Sequence, residues 1–266
     1  MKVIAVLQRK GGVGKTTCTL NLASEIERCG YNVLLLDLDA QTDLTNFFLT
    51  KKQDKEEAKK RNIQNVLEGK TPISKAVFKV EGRDNLSIVP GSKTIDQTFR
   101  FKYSQKALHD SLKDDALKDV DFVIIDFPPA LNEAVKCGLY ATHYTLLVTE
   151  TETLSIENLD ECLNIIGEIG KKSPNNLEVL GILVNRVDNR RNITKANIVK
   201  LEERFPDLLL TSKISVDSSI VSSHAKKVLL RDFLYRPRCV SQFQNAAGEI
   251  WERMMKGDEA DHEANT

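Results

Sequence analysis

Directly behind the short apolar run Val3-Ile-Ala-Val-Leu7 stands Lys10-Gly-Gly-Val-Gly-Lys-Thr-Thr17. A glycine-rich turn between a buried strand and a helix aims backbone N–H groups at phosphates, so this order commits the chain to an α/β fold that holds a nucleotide. Gly11, Gly12 and Gly14 let the backbone curl with no Cβ in the way. Val13 and Thr17 complete the loop, Lys15 is placed to reach the β- and γ-phosphates, and the Thr16 hydroxyl is placed to ligate Mg²⁺. The common form of the motif has a glycine five residues before Gly14, where this chain has Arg9, and a second lysine, Lys10, opens the turn instead. A turn that only joined a strand to a helix would need the glycines, but not two lysines and two threonines in this order.

Apolar, β-rich runs recur between longer helical patterns at 3–7, 33–36, 86–89, 122–125, 145–149 and 179–184. Several lack alternation, as strands buried on both faces do. The pattern predicts a mostly parallel, twisted sheet flanked by helices on both faces, with ligands at the carboxyl ends of the strands. At 266 residues a single domain over 1–256 is expected, followed by an acidic, disordered tail over 257–266. The mixed charge run 51–61 has no apolar stripe and reads as a solvated helix or a mobile insertion. Five cysteines without a C-x-x-C pair suit a reducing compartment, and no run has membrane-spanning length, so a cytoplasmic protein is expected.

Two strand ends carry carboxylates. Asp121-Phe-Val-Ile-Ile-Asp126-Phe-Pro-Pro129 closes a buried strand on Asp126, which could hold the Mg²⁺ shell. Val33-Leu-Leu-Leu-Asp37-Leu-Asp39-Ala-Gln41 ends in two acids, two residues apart and so on one side of a continuing strand.

The K-G-G-V-G-K-T-T string resembles the deviant Walker A motif of the ParA/MinD family of dimeric ATPases, closest to its ParA-type, Soj-like DNA partition members, and D-x-P-P and the Asp37 to Gln41 segment resemble the same family. The resemblance implies a Mg²⁺-dependent ATPase that dimerises on ATP, with Lys10 reaching across the dimer to the other subunit's phosphates. It further implies that Asp39 positions the attacking water, that Asp37 lies near the metal's surroundings, and that Asn185, closing Gly181-Ile-Leu-Val-Asn185, hydrogen-bonds adenine. Two positions depart from the pattern. Ala40 replaces a usual proline, and Ile214-Ser215 stands where relatives have an Ile-Pro step along the base.

For a ParA-type protein the expected partners are nonspecific DNA and a ParB-like centromere-binding protein that stimulates hydrolysis and releases the dimer. Although the whole chain is neutral, residues 186–238 hold twelve Lys/Arg against six Asp/Glu, a surplus that suits phosphate contacts. Lys226, Lys227 and Arg231 are the candidate DNA contacts. Because the first strand opens the chain, the N-terminal DNA-reading domain of larger ParA proteins is not expected. The alternative is a MinD-like positioning ATPase acting on a membrane or protein scaffold. Phe243, Ala247, Ile250, Trp251 and Met254 have the helical spacing of a surface-lying helix, but core packing fits better, since the run continues into Asp258, Glu259, Asp261 and Glu263, which anionic lipid would repel. Cys137-Gly138 resembles the cluster-holding cysteine of the nitrogenase iron protein, yet no cysteine lies between 30 and 136 to support an iron–sulfur cluster.

Overall fold

The structure, a computed structural model, describes residues 1–96, 104–233 and 238–264. In chain order its elements are β1 Lys2–Leu7, α1 Lys15–Arg28, β2 Val33–Asp37, α2 Asp43–Phe48, α3 Lys52–Lys60, α4 Ile63–Leu67, α5 Ile73–Ala76, β3 Phe78–Lys79 and β4 Leu86–Val89. Then come α6 Ala107–Ser111, β5 Phe122–Asp126, α7 Glu133–Tyr140, β6 Tyr144–Thr149, α8 Thr153–Gly170 and β7 Glu178–Val187. The chain continues with α9 Asn192–Arg204, β8 Leu209–Ser215, α10 Ser218–Lys226, α11 Leu230–Phe233 and α12 Arg238–Ala264.

The strands form one sheet of order β3-β4-β2-β5-β1-β6-β7-β8, parallel except for β3 against β4. Strand β1 shows why its apolar run does not alternate. Val3, Ala5 and Leu7 enter the core on one face while Ile4 and Val6 enter the core on the other, so every position needs an apolar side chain. From β1 the chain winds to β2 on one side, whereas β6 continues the sheet on the other. The resulting crevice at the carboxyl end of β1 is the place where such sheets bind ligands. Helix α1 starts there behind Gly14, whose φ of 92° only glycine adopts without strain.

Two strands lie outside the apolar runs of the sequence. Strands β3 and β8 carry no apolar run long enough to announce them. In β8 the centre, Thr211-Ser212-Lys213, is polar because the strand is at the sheet edge, and the N–H groups of Thr211 and Ser212 donate to the Glu249 carboxylate at 2.7 and 2.9 Å. Helix α12 runs as far as Ala264, into the stretch from 257. Helix α12 is already nucleated by packed turns, and Ala and Glu propagate it with no proline to stop it. The side chains of Asp258, Glu259, Asp261 and Glu263 lie outside the described residues.

Within α12 the apolar face belongs to the core. Phe243, Ile250 and Met254 are buried, and Trp251 stacks on Tyr31 with ring centroids 5.2 Å apart. The charge run at 51–61 forms the solvated helix α3, in which Ala58 is buried. Among the described residues no helix is long and apolar enough to cross a membrane.

Candidate active site

A cleft of about 600 Å³ opens at the carboxyl ends of the strands. One end is lined by Gly11, Gly12, Gly14, Lys15, Thr16 and Thr17, with Asp39 and Gln41 across from them. Lys15 is 6% exposed; burial lowers its pKa, and Asp126 and Asp39 act against that shift. Its ammonium donates to the Lys10 carbonyl at 3.3 Å, which curls the side chain back over the loop. The Thr16 hydroxyl donates to Asp126 Oδ2 at 2.6 Å, and Thr19, one turn further along α1, faces Oδ1 of the same carboxylate at 3.5 Å.

Strand register places the acids together. Asp37 is the direct neighbour of Asp126 across β2 and β5. Burial, then the Asp37 charge, pushes the Asp126 carboxyl up to about 8, although the Thr16 hydrogen bond opposes this. Burial also raises Asp37, to about 6. Its two oxygens are taken up by the protein: Oδ1 accepts from the Asp39 N–H at 3.1 Å, and Oδ2 accepts from the Thr45 N–H at 2.9 Å and the Thr45 hydroxyl at 2.6 Å. Asp37 therefore fixes the turn that presents Asp39. Asp39 accepts from the Gln41 N–H at 2.9 Å and faces the cleft.

Oxygen donors beside the phosphate loop, with a buried carboxylate that favours a nearby cation, are what a hard ion such as Mg²⁺ takes up along with phosphate oxygens. Thr16 and Asp126 fit that requirement.

A family model described as AAA domain matches residues 1–179, two thirds of the chain and the whole phosphate-loop half of the sheet. The chain belongs to this family, in its ParA/MinD group of deviant Walker A ATPases. Chromosome partitioning protein ParA of Caulobacter vibrioides is 27% identical over 242 residues, covering 87% of this chain and 88% of that protein. Cobyrinic acid a,c-diamide synthase from Mycobacterium smegmatis, with a bound ATP analogue and magnesium, superposes with a TM-score of 0.79 at 25% identity, covering 97% of this chain and 96% of that one. The ATP complex of a Cyanothece McdA variant shares the fold, with a TM-score of 0.82 at 20% identity and 96% coverage of both chains.

Not every predicted residue of this ParA/MinD-type site faces the cleft. Val13 is buried in the core, so only its backbone serves the loop. Asn185 lines the cleft, but its amide nitrogen donates to the Val13 carbonyl at 2.8 Å and lies so close to Gly14 that a Cβ there would sit 2.2 Å from it. Asn185 thus braces the loop. Lys10 is turned away from the cleft, ion-paired to Glu152 and 3.6 Å from Glu150, both in the connection after β6.

The far end of the cleft is made by Ser215, Val216 and Asp217 after β8 and by Ile220, Val221, His224 and Ala225 on α10. Sequence reasoning singled out none of these four α10 residues. Val216 and Val221 are 52% and 68% exposed, and isolated apolar residues in a polar stretch carry no period to mark them. Glu150 and Glu152 were equally missed, although carboxylates just past a buried strand were the signal used for Asp37, Asp39 and Asp126.

The DNA candidates separate. Arg231 makes a two-pronged ion pair with Glu25 of α1, whose side chain is buried, so it belongs to the scaffold and not to a free basic surface. Lys226 and Lys227 are exposed at the end of α10. Arg236, counted in the basic stretch, lies outside the described residues.

Cys137 is buried, and burial pushes its thiol up to about 12, the condition of an inert core cysteine.

Proposed function

We propose that this chain is an ATP-dependent partition ATPase: two copies associate on ATP, the dimer holds DNA without regard to sequence, and a ParB-like protein stimulates hydrolysis and releases it. The observation that carries the reading is the joining of the phosphate loop, Lys15, Thr16, Asp126 and Asp39 at one strand-end crevice. A partition role is supported by the similarity to Caulobacter ParA over most of both chains.

In this reading the N–H groups of Gly11 to Thr16 and the start of α1 bind the polyphosphate, and Lys15 neutralises its β/γ end. Thr16 and Asp126 hold Mg²⁺, which when bound supplies charge neutralisation of the phosphates. Asp39, presented from its turn, orients the attacking water. Phosphoryl transfer to water asks little covalent work of a protein, so fixed donors and a placed water supply the acceleration. Lys10 leaves Glu150 and Glu152 to complete the second subunit's site. Asn185 braces the loop and presents the remainder of its amide toward adenine.

DNA contact falls to Lys226 and Lys227 with the neighbouring basic residues, in the cytoplasm on the nucleoid. If a dimer neutralised about six phosphates, the logarithm of affinity would fall with log salt at a slope near −5. The test is binding of random-sequence duplex DNA with ATP against ADP over a salt series, using Asp39→Ala to hold the ATP state. Binding with ATP alone and a steep slope is expected. A formed dimer that ignores DNA at low salt would instead select the MinD-like reading, on a protein scaffold or another surface.

A further inference from the structure

Arg186, next to last in β7, has a conformation that its residue type avoids. Its φ of 53° lies in the left-handed region, where a residue bearing a Cβ is disfavoured and where observed strain points to something gained elsewhere. The gain is visible. This backbone turn carries the guanidinium back over the phosphate loop, where one nitrogen donates to the Gly12 carbonyl at 2.7 Å and to Glu150 Oε1 at 3.0 Å.

Glu150 is therefore shared. Its other oxygen lies 3.6 Å from the Lys10 ammonium, and its side chain is only 12% exposed. Glu152, the second partner of Lys10, is 61% exposed and so holds it through a contact that water and salt weaken. Nor can Glu150 follow Lys10 outward. Its neighbour Thr151 is tied to α9, with the carbonyl accepting from Asn197 at 2.8 Å and the hydroxyl meeting that of Thr194 at 3.3 Å. A carboxylate so buried is costly to leave without a cation, and a single cation facing it would be trapped. With two cations sharing it, one can go.

We propose that Arg186 is a positioning residue for the ATP-driven association: it keeps Glu150 paired when Lys10 swings away toward the second subunit's phosphates, and so sets how readily Lys10 is released. This rests on the reading of Lys10 given above. Removal of the guanidinium leaves Lys10 as the near cation for Glu150 among the described residues, and the monomer then retains it. Removal of the Glu150 charge as well abolishes the need for either partner.

The test is sedimentation velocity with Mg²⁺ and the slowly hydrolysed analogue ATPγS on four proteins: the parent, Arg186→Asn, Arg186→Lys and Arg186→Asn/Glu150→Gln. Asparagine tolerates the left-handed backbone, so the first variant removes the charge without adding strain. Binding of a fluorescent ADP to each monomer and a thermal melt run alongside. Arg186→Asn also loses the hydrogen bond to the Gly12 carbonyl of the loop, so ADP binding falls with it; association with ATPγS is expected to fall about tenfold further than ADP binding does, within the range of ordinary coupling between sites. Arg186→Lys recovers part of the loss and the double variant most of it. Parent-like association of Arg186→Asn, or a double variant as weak as the single, overturns the inference. So does a loss of ADP binding equal to the loss of association, which would make Arg186 a brace of the loop alone. A parent that binds ADP but does not associate with ATPγS fails at the earlier step, the role of Lys10, and removes this inference with it.

Discussion

The two ends of the cleft are built on different principles. At the phosphate end, side chains are fixed from several directions: Asp37 by Thr45 and the Asp39 N–H, Asp126 by Thr16, and the Val13 carbonyl by Asn185. At the other end, Val216 and Val221 stand exposed on the β8 to α10 connection and the first turn of α10. Charge must be met by dipoles and cations in set places, since a donor an ångström away from a phosphate oxygen loses much of its value. A flat aromatic base needs only an apolar wall and an edge contact, which many residues can supply. The phosphate end is accordingly held by fixed partners, and the other end, which we propose takes the base, is permissive.

The largest effect that would break this comparison is at Lys15. Lys15→Ala is expected to weaken ATP, ADP and inorganic pyrophosphate alike, by about a hundredfold, the scale of a lost charge-assisted hydrogen bond to phosphate. Calorimetric titration checks it. A variant that bound pyrophosphate as the parent does would show that the loop backbone alone defines this end.

Asp39→Ala sharpens the division within the phosphate end itself. Among the described residues the Asp39 carboxylate is hydrogen-bonded by the Gln41 N–H and by no loop residue, so nucleotide affinity should remain within about threefold while single-turnover hydrolysis falls by a factor of about a hundred or more. Unchanged turnover would remove Asp39 from the water-positioning role.

Asn185 lies between the two ends, and its substitution is expected to be intermediate. Asn185→Ala leaves the Val13 carbonyl without its donor beside a buried loop, a loss of about 1–2 kcal/mol to folding by denaturant titration. ADP affinity should drop about tenfold as the loop loosens. If adenosine nucleotides suffered and pyrophosphate did not, Asn185 would belong to the base end.

Legibility in the sequence follows the same divide. Asp37 and Asp126 were readable because each closes an unbroken apolar run, and a strand buried on both faces has nowhere to place a charge except its end. The glycine loop was readable because its backbone geometry restricts residue type. Strand β8 was not, since an edge strand satisfies its N–H groups on a side chain, Glu249, that lies far along the chain. Arg231 was misplaced for a related reason: its partner Glu25 is 206 positions away, and local charge counting has no view of such a pair. The use of Lys10 by Glu150 and Glu152 likewise depends on the β6 connection folding over the loop. What the sequence shows directly is chemistry that one segment must satisfy by itself.

The smallest effect, and the most discriminating, is at Val221. It is 68% exposed, so it contributes little to the core, and it lines the cleft. Val221→Ser removes two methyl groups from the wall that we propose faces the base, with an expected change of about 1 kcal/mol or roughly fivefold in ADP affinity. Pyrophosphate has no base and should bind the variant and the parent equally. Competition of pyrophosphate against fluorescent ADP measures both values in one experiment. An equal loss for the two ligands would mean that α10 acts on the loop, through Ile220 and His224 packed near Thr17 and Phe47, and that the cleft responds as one unit. A loss confined to ADP would establish that phosphate binding is set by the strand ends and nucleoside binding by the rim, each adjustable without the other.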